Sequence, residues 1–282
     1  MTIRQMIKRT PILVLLMLAS VWCAPAQAQI AFRAASQANS GAGQPAPNFQ
    51  AAGTATGGTG VVNPAWPAHQ IDDIALLFVE STGGQAATLS IPAGFVEVTN
   101  SPQATGAGTA GTRITVFWAR AISATMATPR VADPGNHVYA QILTYRGVIA
   151  AGDPWDVTGG GVKAAASGTV TVTGVTTTVP NALIVQAVAR DNDNAAAAFS
   201  AQTNANLTSI TERSDAGTAQ GNGGGFAVWD GDMAAAGGTG NTTATVTSSI
   251  NAFLTVALLP GNTKITIAQP LDGNGNWFQD DV

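Results

Sequence analysis

The sequence predicts an all-β protein, a two-sheet antiparallel sandwich of jelly-roll type built from two pseudo-repeated halves. Three observations carry this. Only 10% of the 282 residues are charged, against 45% apolar and 32 glycines, whereas helical bundles need Glu, Lys and Arg on their solvent faces. Short apolar runs alternate with Gly, Asn, Asp and Pro clusters, and no sustained 3.6-residue period follows the first 28 residues. Finally, similar segments recur about 108 to 113 residues apart.

In chain order, Arg4, Lys8 and Arg9 precede an apolar run from Ile12 to Val21 and an Ala26-Gln27-Ala28 cleavage site. This is the three-part pattern of a secretory signal over 1–28, too short in its apolar core for a membrane span. Trp22 before Cys23 argues against a lipoprotein. Removing those three from the 12 basic residues leaves nine against 16 acidic ones, a net charge of −7. Cys23, the only cysteine, leaves with them. The expected location is therefore secreted (periplasmic, cell-surface or extracellular), with no later membrane span and no thiol chemistry. A chain so poor in Lys and Arg is not a nucleic-acid binder.

Residues 29–60 read as a flexible N-terminal segment, with Ile30–Arg33 a candidate first strand. The sandwich is expected over 61–262, in halves 72–148 and 168–261, followed by a tail over 263–282. Ile74 to Val79 is a nearly continuous apolar run, as a strand buried on both faces requires. Arg113 to Trp118 alternates, and Val138 to Tyr145 is a further strand. Asp153 to Ala166 is expected to cross between halves. Thr169 to Thr173 alternates Thr and Val, and Ala182 to Val188, Gly225 to Trp229, Thr243 to Thr247 and Phe253 to Leu259 complete the set. Asp73–Val79 aligns with Asn181–Ala187, Val116–Trp118 with Ala227–Trp229, and Val138–Gly147 with Asn251–Pro260. Neither half can bury its own apolar face, so the two are expected to pack together.

The succession "IAFRAAS", "DDIALLFV", "IPAGFVEV", "ITVFWARAI", "VYAQILTYRGV", "ALIVQAVA" and "FLTVALLPG" resembles β-sandwich modules of phage tail or fibre proteins and secreted bacterial surface proteins. The likeness spans about residues 30–261. It implies an extracellular sandwich and brings no active site. Phe95 stands where the turn usually has Trp, and Leu259-Pro260 lacks the usual preceding basic residue.

Catalytic constellations are sparse. There is no G-x-S-x-G or S-x-x-K motif, and Gly221 to Gly225 lacks the Lys of a phosphate loop, so it reads as a hairpin turn. His69 reads as a solvated loop residue and His137 as a strand-end polar residue. Glycoside hydrolysis needs two opposed carboxyl groups; Asp230 and Asp232, two apart after Trp229, are the best pair, although Gly231 suggests a turn. No cofactor is expected beyond a weak case for calcium, which takes six to eight oxygens. Asp191 and Asp193, or Asp272, Asn274 and Asn276, are the candidate ligands, and Asx-turns explain both clusters without metal. Trp118 and Trp229, at matching repeat positions, read as core. Trp155 at the crossover is the first choice for stacking a sugar.

The leading expectation is a non-catalytic structural or adhesive surface module whose partner is a surface glycan or another secreted protein. Carbohydrate binding through loop Trp residues, with or without calcium, is the alternative. A polysaccharide hydrolase using Asp230 and Asp232 is the third reading.

Overall fold

The computed structural model describes residues 44–261, all of them in strands, turns and loops. The expected strand at Ile30–Arg33 and the candidate ligands Asp272, Asn274 and Asn276 lie outside these residues. Half one contributes β1 (Asn48–Ala52), β2 (Thr56–Gly58), β3 (Ile74–Ser81), β4 (Leu89–Ile91), β5 (Val96–Glu97), β6 (Gln103–Thr105), β7 (Thr112–Arg120), β8 (Arg130–Val131) and β9 (Val138–Arg146). Half two contributes β10 (Trp155–Val172), β11 (Thr176–Thr177), β12 (Ala182–Arg190), β13 (Phe199–Thr203), β14 (Thr208–Thr218), β15 (Gly224–Met233), β16 (Gly237–Gly238) and β17 (Thr242–Leu258).

The all-β sandwich is present, and its wiring is by halves. Half one forms the sheet β1-β9-β3-β7-β5, with β2 on β9 and β6 on β7; half two forms β10-β17-β12-β15-β14, with β13 on β17. Strands do not pass back and forth between the sheets as in a jelly roll, because each long strand finds its neighbours within its own half. The repeat is visible as topology: β9-β3-β7 and β17-β12-β15 are the same antiparallel arrangement.

The residue equivalence is not the one expected from sequence. Ile74 pairs with Tyr145 and Arg120, while Leu183 pairs with Leu258 and Asp232. Ile74 therefore corresponds to Leu183, and Arg120 to Asp232. Two of the three sequence alignments are one residue out, and a one-residue slip along a strand turns every side chain to the other face.

Between the sheets lies one apolar layer. Ile74, Leu76, Phe78, Val116 and Leu143 from half one meet Leu183, Val185, Phe226, Val228 and Leu254 from half two, all buried. Phe226 bridges the sheets, with ring centroids 6.0 Å from Phe78 and 5.2 Å from Tyr139. Each such side chain contributes roughly 1.5–3 kcal/mol on burial.

Both outer faces are covered too, which explains why β3 and β12 are buried along their whole length. On sheet one, Leu77, Val79 and Ile142 lie under Val62, Phe95 and Val131. Sheet two is covered by its own edge. The ribbon of β10 and β17, 18 and 17 residues long, changes register between Lys163 and Thr169. Beyond these bulges Val170, Val172, Ala244 and Val246 pack with Val188, Trp229 and Phe253. Bulges bend strands in this way.

Two boundaries are corrected here. Residues 48–52 and 56–58, expected to be flexible, pair with β9, because the edge backbone of β9 needs partners that their bland side chains do not advertise. The expected crossing at Asp153 to Ala166 is mostly β10. The link between halves is the shorter stretch before it, where Ile149 N donates to Leu259 O and Leu259 N to Pro154 O. The chain enters and leaves at one corner: Pro45, Val148 and Gly261 line the same small cleft, and Val148 bridges Pro260. Among the described residues no helix is long and apolar enough to cross a membrane.

Candidate functional site

Three buried carboxylates of the interior are paired with basic side chains. Asp230 is 1% exposed. Arg213 on β14 donates to both its oxygens, Nε to Oδ2 and Nη2 to Oδ1, each at 2.9 Å, and lies over the Phe49 ring at 4.6 Å. Burial raises the Asp230 carboxyl above its ordinary value, while Arg213 pulls it back. Asp73 is held in the same two-pronged way by Arg146, at 2.8 Å. Glu80 and His137 form a third pair, with Nε2 3.0 Å from Oε2 and both side chains at or below 1% exposure.

These contacts revise the sequence-derived site residues. Asp230 and Asp232 both lie in the regular strand β15, with Gly231 paired to Ile184 rather than forming a turn. Asp232 is half-buried. Asp230 is engaged by Arg213 inside the sandwich, so it is not presented to a substrate. Trp155 is in β10, not in a loop. It is partly buried, packs against the central core and makes a T-shaped contact with Trp118, with centroids 5.6 Å apart. Trp118 and Trp229 are not equivalent: Trp118 lies on the central side and Trp229 on the outer face of sheet two.

Asp191 and Asp193 follow β12. Asp191 Oδ1 accepts from Ile250 N, Asn192 Nδ2 donates to Ser248 O, and Asn194 Oδ1 accepts from Ala196 N. The loop is held by one local turn at Asn194 and by two bonds to residues 248–250. Among the described residues no group of three or more His, Cys, Asp or Glu gathers to hold a metal. His69 is half-buried rather than solvated. Its ring packs at a tilt against Trp66, with centroids 4.8 Å apart, and Nδ1 lies 2.7 Å from Pro67 O.

The surface feature that sequence reasoning missed is an apolar cleft of about 510 Å³ at one edge of sheet one. Its floor is the end of β7, where Trp118, Ala119 and Arg120 lie. β5 pairs only with Phe117 and Trp118, so the β7 edge from Ala119 onward has no strand partner on that side among the described residues. One wall is the turn Pro92–Phe95, closed by Phe95 N donating to Pro92 O at 2.8 Å, with Gly94 at φ +87°. The other wall is the loop carrying Ile122 and Met126. Trp66 braces both: it packs on Phe95 at 5.3 Å and its Nε1 donates to Ala127 O at 3.1 Å. Ile122 is 78% exposed and Val96 54%. Arg120 is the charged liner of the cleft, and burial lowers its pKa. The one sequence signal was Ile122, an apolar residue just past the end of an alternating strand.

The chain matches no protein-family model, no curated protein and no solved structure.

What the geometry can do chemically follows from these contacts. The buried carboxylates are held by arginines or histidine as internal ties. The cleft presents apolar side chains beside an open strand edge, which suits non-covalent docking.

Proposed function

We propose that this protein is a non-catalytic adhesive module of the secreted kind, whose contact surface is the apolar cleft at the edge of β7. The observation that carries the reading is the exposure of Val96 and Ile122 around the half-buried Trp118. Large exposed apolar side chains clustered on a concave surface mark interaction sites. The occupant is an extended segment of a protein partner. The uncovered end of β7, Ala119 and Arg120, offers a short start for strand addition, and the cleft beside it takes apolar side chains. A sugar calls for convergent polar groups, and the residues around this cleft are chiefly apolar. The likeness to secreted surface modules agrees with an adhesive role and adds no residue to it.

The test uses the full chain on beads presented to methyl-terminated and hydroxyl-terminated surfaces. Adhesion to the methyl surface is expected to fall about tenfold or more in Val96→Asp/Ile122→Asp, since docking each side chain is worth roughly 1.5 kcal/mol or more. Thermal stability should stay near wild type, because both residues are exposed. Equal adhesion of wild type and variant overturns the reading, as does glycan-array binding that the double substitution abolishes.

A further inference from the structure

At the opposite end of β3 from the cleft, Glu80 continues the inward-facing row of Ile74, Leu76 and Phe78, yet it is a carboxylic acid and fully buried. The groups around it come from both halves. From β7, Thr112 Oγ1 donates to Glu80 Oε1 at 2.9 Å. Ahead of β9, His137 Nε2 lies 3.0 Å from Oε2 and 3.3 Å from Oε1. From half two the backbone of Gly224 lies against the pair: a Cβ there would come within 2.4 to 2.5 Å of both carboxyl oxygens and of Nε2. The buried Arg190 guanidinium on β12 is occupied by the carbonyls of Asn192, Asn194 and Ala196. Its field reaches Glu80, Tyr139 and Asp215.

The hydrogen-bond chain places the proton. Asn136 Oδ1 accepts from the backbone N–H of Asn222 at 2.7 Å, which sets that oxygen as an acceptor. His137 Nδ1, 3.0 Å from the same oxygen, must therefore carry a hydrogen. A neutral imidazole protonated on Nδ1 has only a lone pair on Nε2. The contact between Nε2 and Glu80 is then a hydrogen bond only while a proton sits between them, on Oε or on Nε2. Without it, a buried carboxylate faces a lone pair.

We infer that one shared proton between Glu80 and His137 latches the two halves at this end of the sandwich, and that its loss in alkaline solution loosens the turn 219–224 from residues 109–112. The turn is tied to half one through that same chain, since Asn222 Nδ2 also donates to Thr109 O. Burial raises the Glu80 carboxyl above its ordinary 4.5. The stability contributed by a raised acid is complete below the unfolded value, about 4.5, and is lost as pH rises through the folded one.

The experiment compares wild type with Glu80→Gln from pH 5 to pH 9. The glutamine side chain can donate to an unprotonated Nε2 through its NH2 or, turned over, accept from a protonated one through its oxygen, so it keeps the contact without itself titrating. The melting temperature of the variant minus that of wild type is expected to widen by about 2–4 °C toward alkaline pH. Amides of 220–224 and 109–112 should exchange faster in wild type than in the variant at pH 9, and alike at pH 5. A difference that stays constant across this range overturns the inference. Nitrogen-15 shifts of the wild-type imidazole give an answer that needs no variant: a neutral ring protonated on Nδ1 at alkaline pH is expected, and one protonated on Nε2 overturns it.

Discussion

Trp229→Ala is expected to destabilise the domain by about 5 kcal/mol. Trp229 is 1% exposed on the outer face of sheet two, under the folded-over ribbon, with Phe199 at 6.1 Å and Val188 and Phe253 in the same cluster. Truncating a buried tryptophan costs roughly 3–5 kcal/mol in lost transfer energy and cavity. The indole N–H also donates to Gln186 Oε1 at 2.8 Å, and Gln186 is fully buried between strands. Leaving that acceptor unpaired adds about 1 kcal/mol or more. At about 2–4 °C per kcal/mol for a domain of this size, the melting temperature should drop by about 15 °C. Trp229→Phe keeps most of the apolar area and loses the hydrogen bond and part of the ring volume, so it should recover about half of the loss. A loss below about 2 kcal/mol for the alanine variant in urea titration would show that the ribbon does not seal this face.

Arg213→Met should cost about 3–5 kcal/mol near neutral pH, the usual consequence of stranding one member of a buried pair. The methionine retains much of the stem that lies over Phe49, so the loss isolates the charge. Asp230 is then a carboxylate 1% exposed with neither of its Arg213 hydrogen bonds. Its carboxyl is already raised by burial against the pull of Arg213, and removing the guanidinium raises it further. The penalty should therefore shrink as pH falls toward 4 and the acid becomes neutral. Arg213→Met/Asp230→Leu should regain most of the lost stability, since a well-packed apolar pair often replaces a buried ionic one at no cost. A penalty that is flat with pH would contradict this account of Asp230. The same pairing occupies both oxygens of Asp230 with one guanidinium.

The sandwich was legible because its central strands are buried on both faces. Ile74 to Val79 is apolar at every position and Ala182 to Val188 at every position but Gln186, and such a run survives any error in facing. The edges were not legible. β14 reads Thr-Ser-Ile-Thr-Glu-Arg-Ser-Asp, an edge strand with mixed surroundings, and its pairing to β15 comes from backbone groups that leave no trace in side-chain pattern. The repeat was found but misaligned by one residue, because a strand buried on both sides lacks the alternation that would mark its inward face. That slip matched Trp118 with Trp229, when Trp118 corresponds to Asp230 and Arg120 to Asp232. The Glu80–His137 contact joins residues 57 positions apart. Its only sequence signal was a glutamate closing a run as apolar as Ile74 to Val79. The cleft was illegible for a different reason: it is made by what β5 fails to cover, and a missing rung cannot be read from composition.

Pro45 and Gly261 share one corner, and this sets how the domain answers to load. A pull between neighbours attached there is not spread over the broad sheets in shear. It falls first on the outermost rungs, Asn48 opposite Arg146 and the bridge of Val148 to Pro260, which open one after another like a zip. The opposite end, where Glu80 and Gly224 meet, is the last to feel the strain. A module hung from one corner can also be inserted into a loop of a larger host with little stretching of either chain.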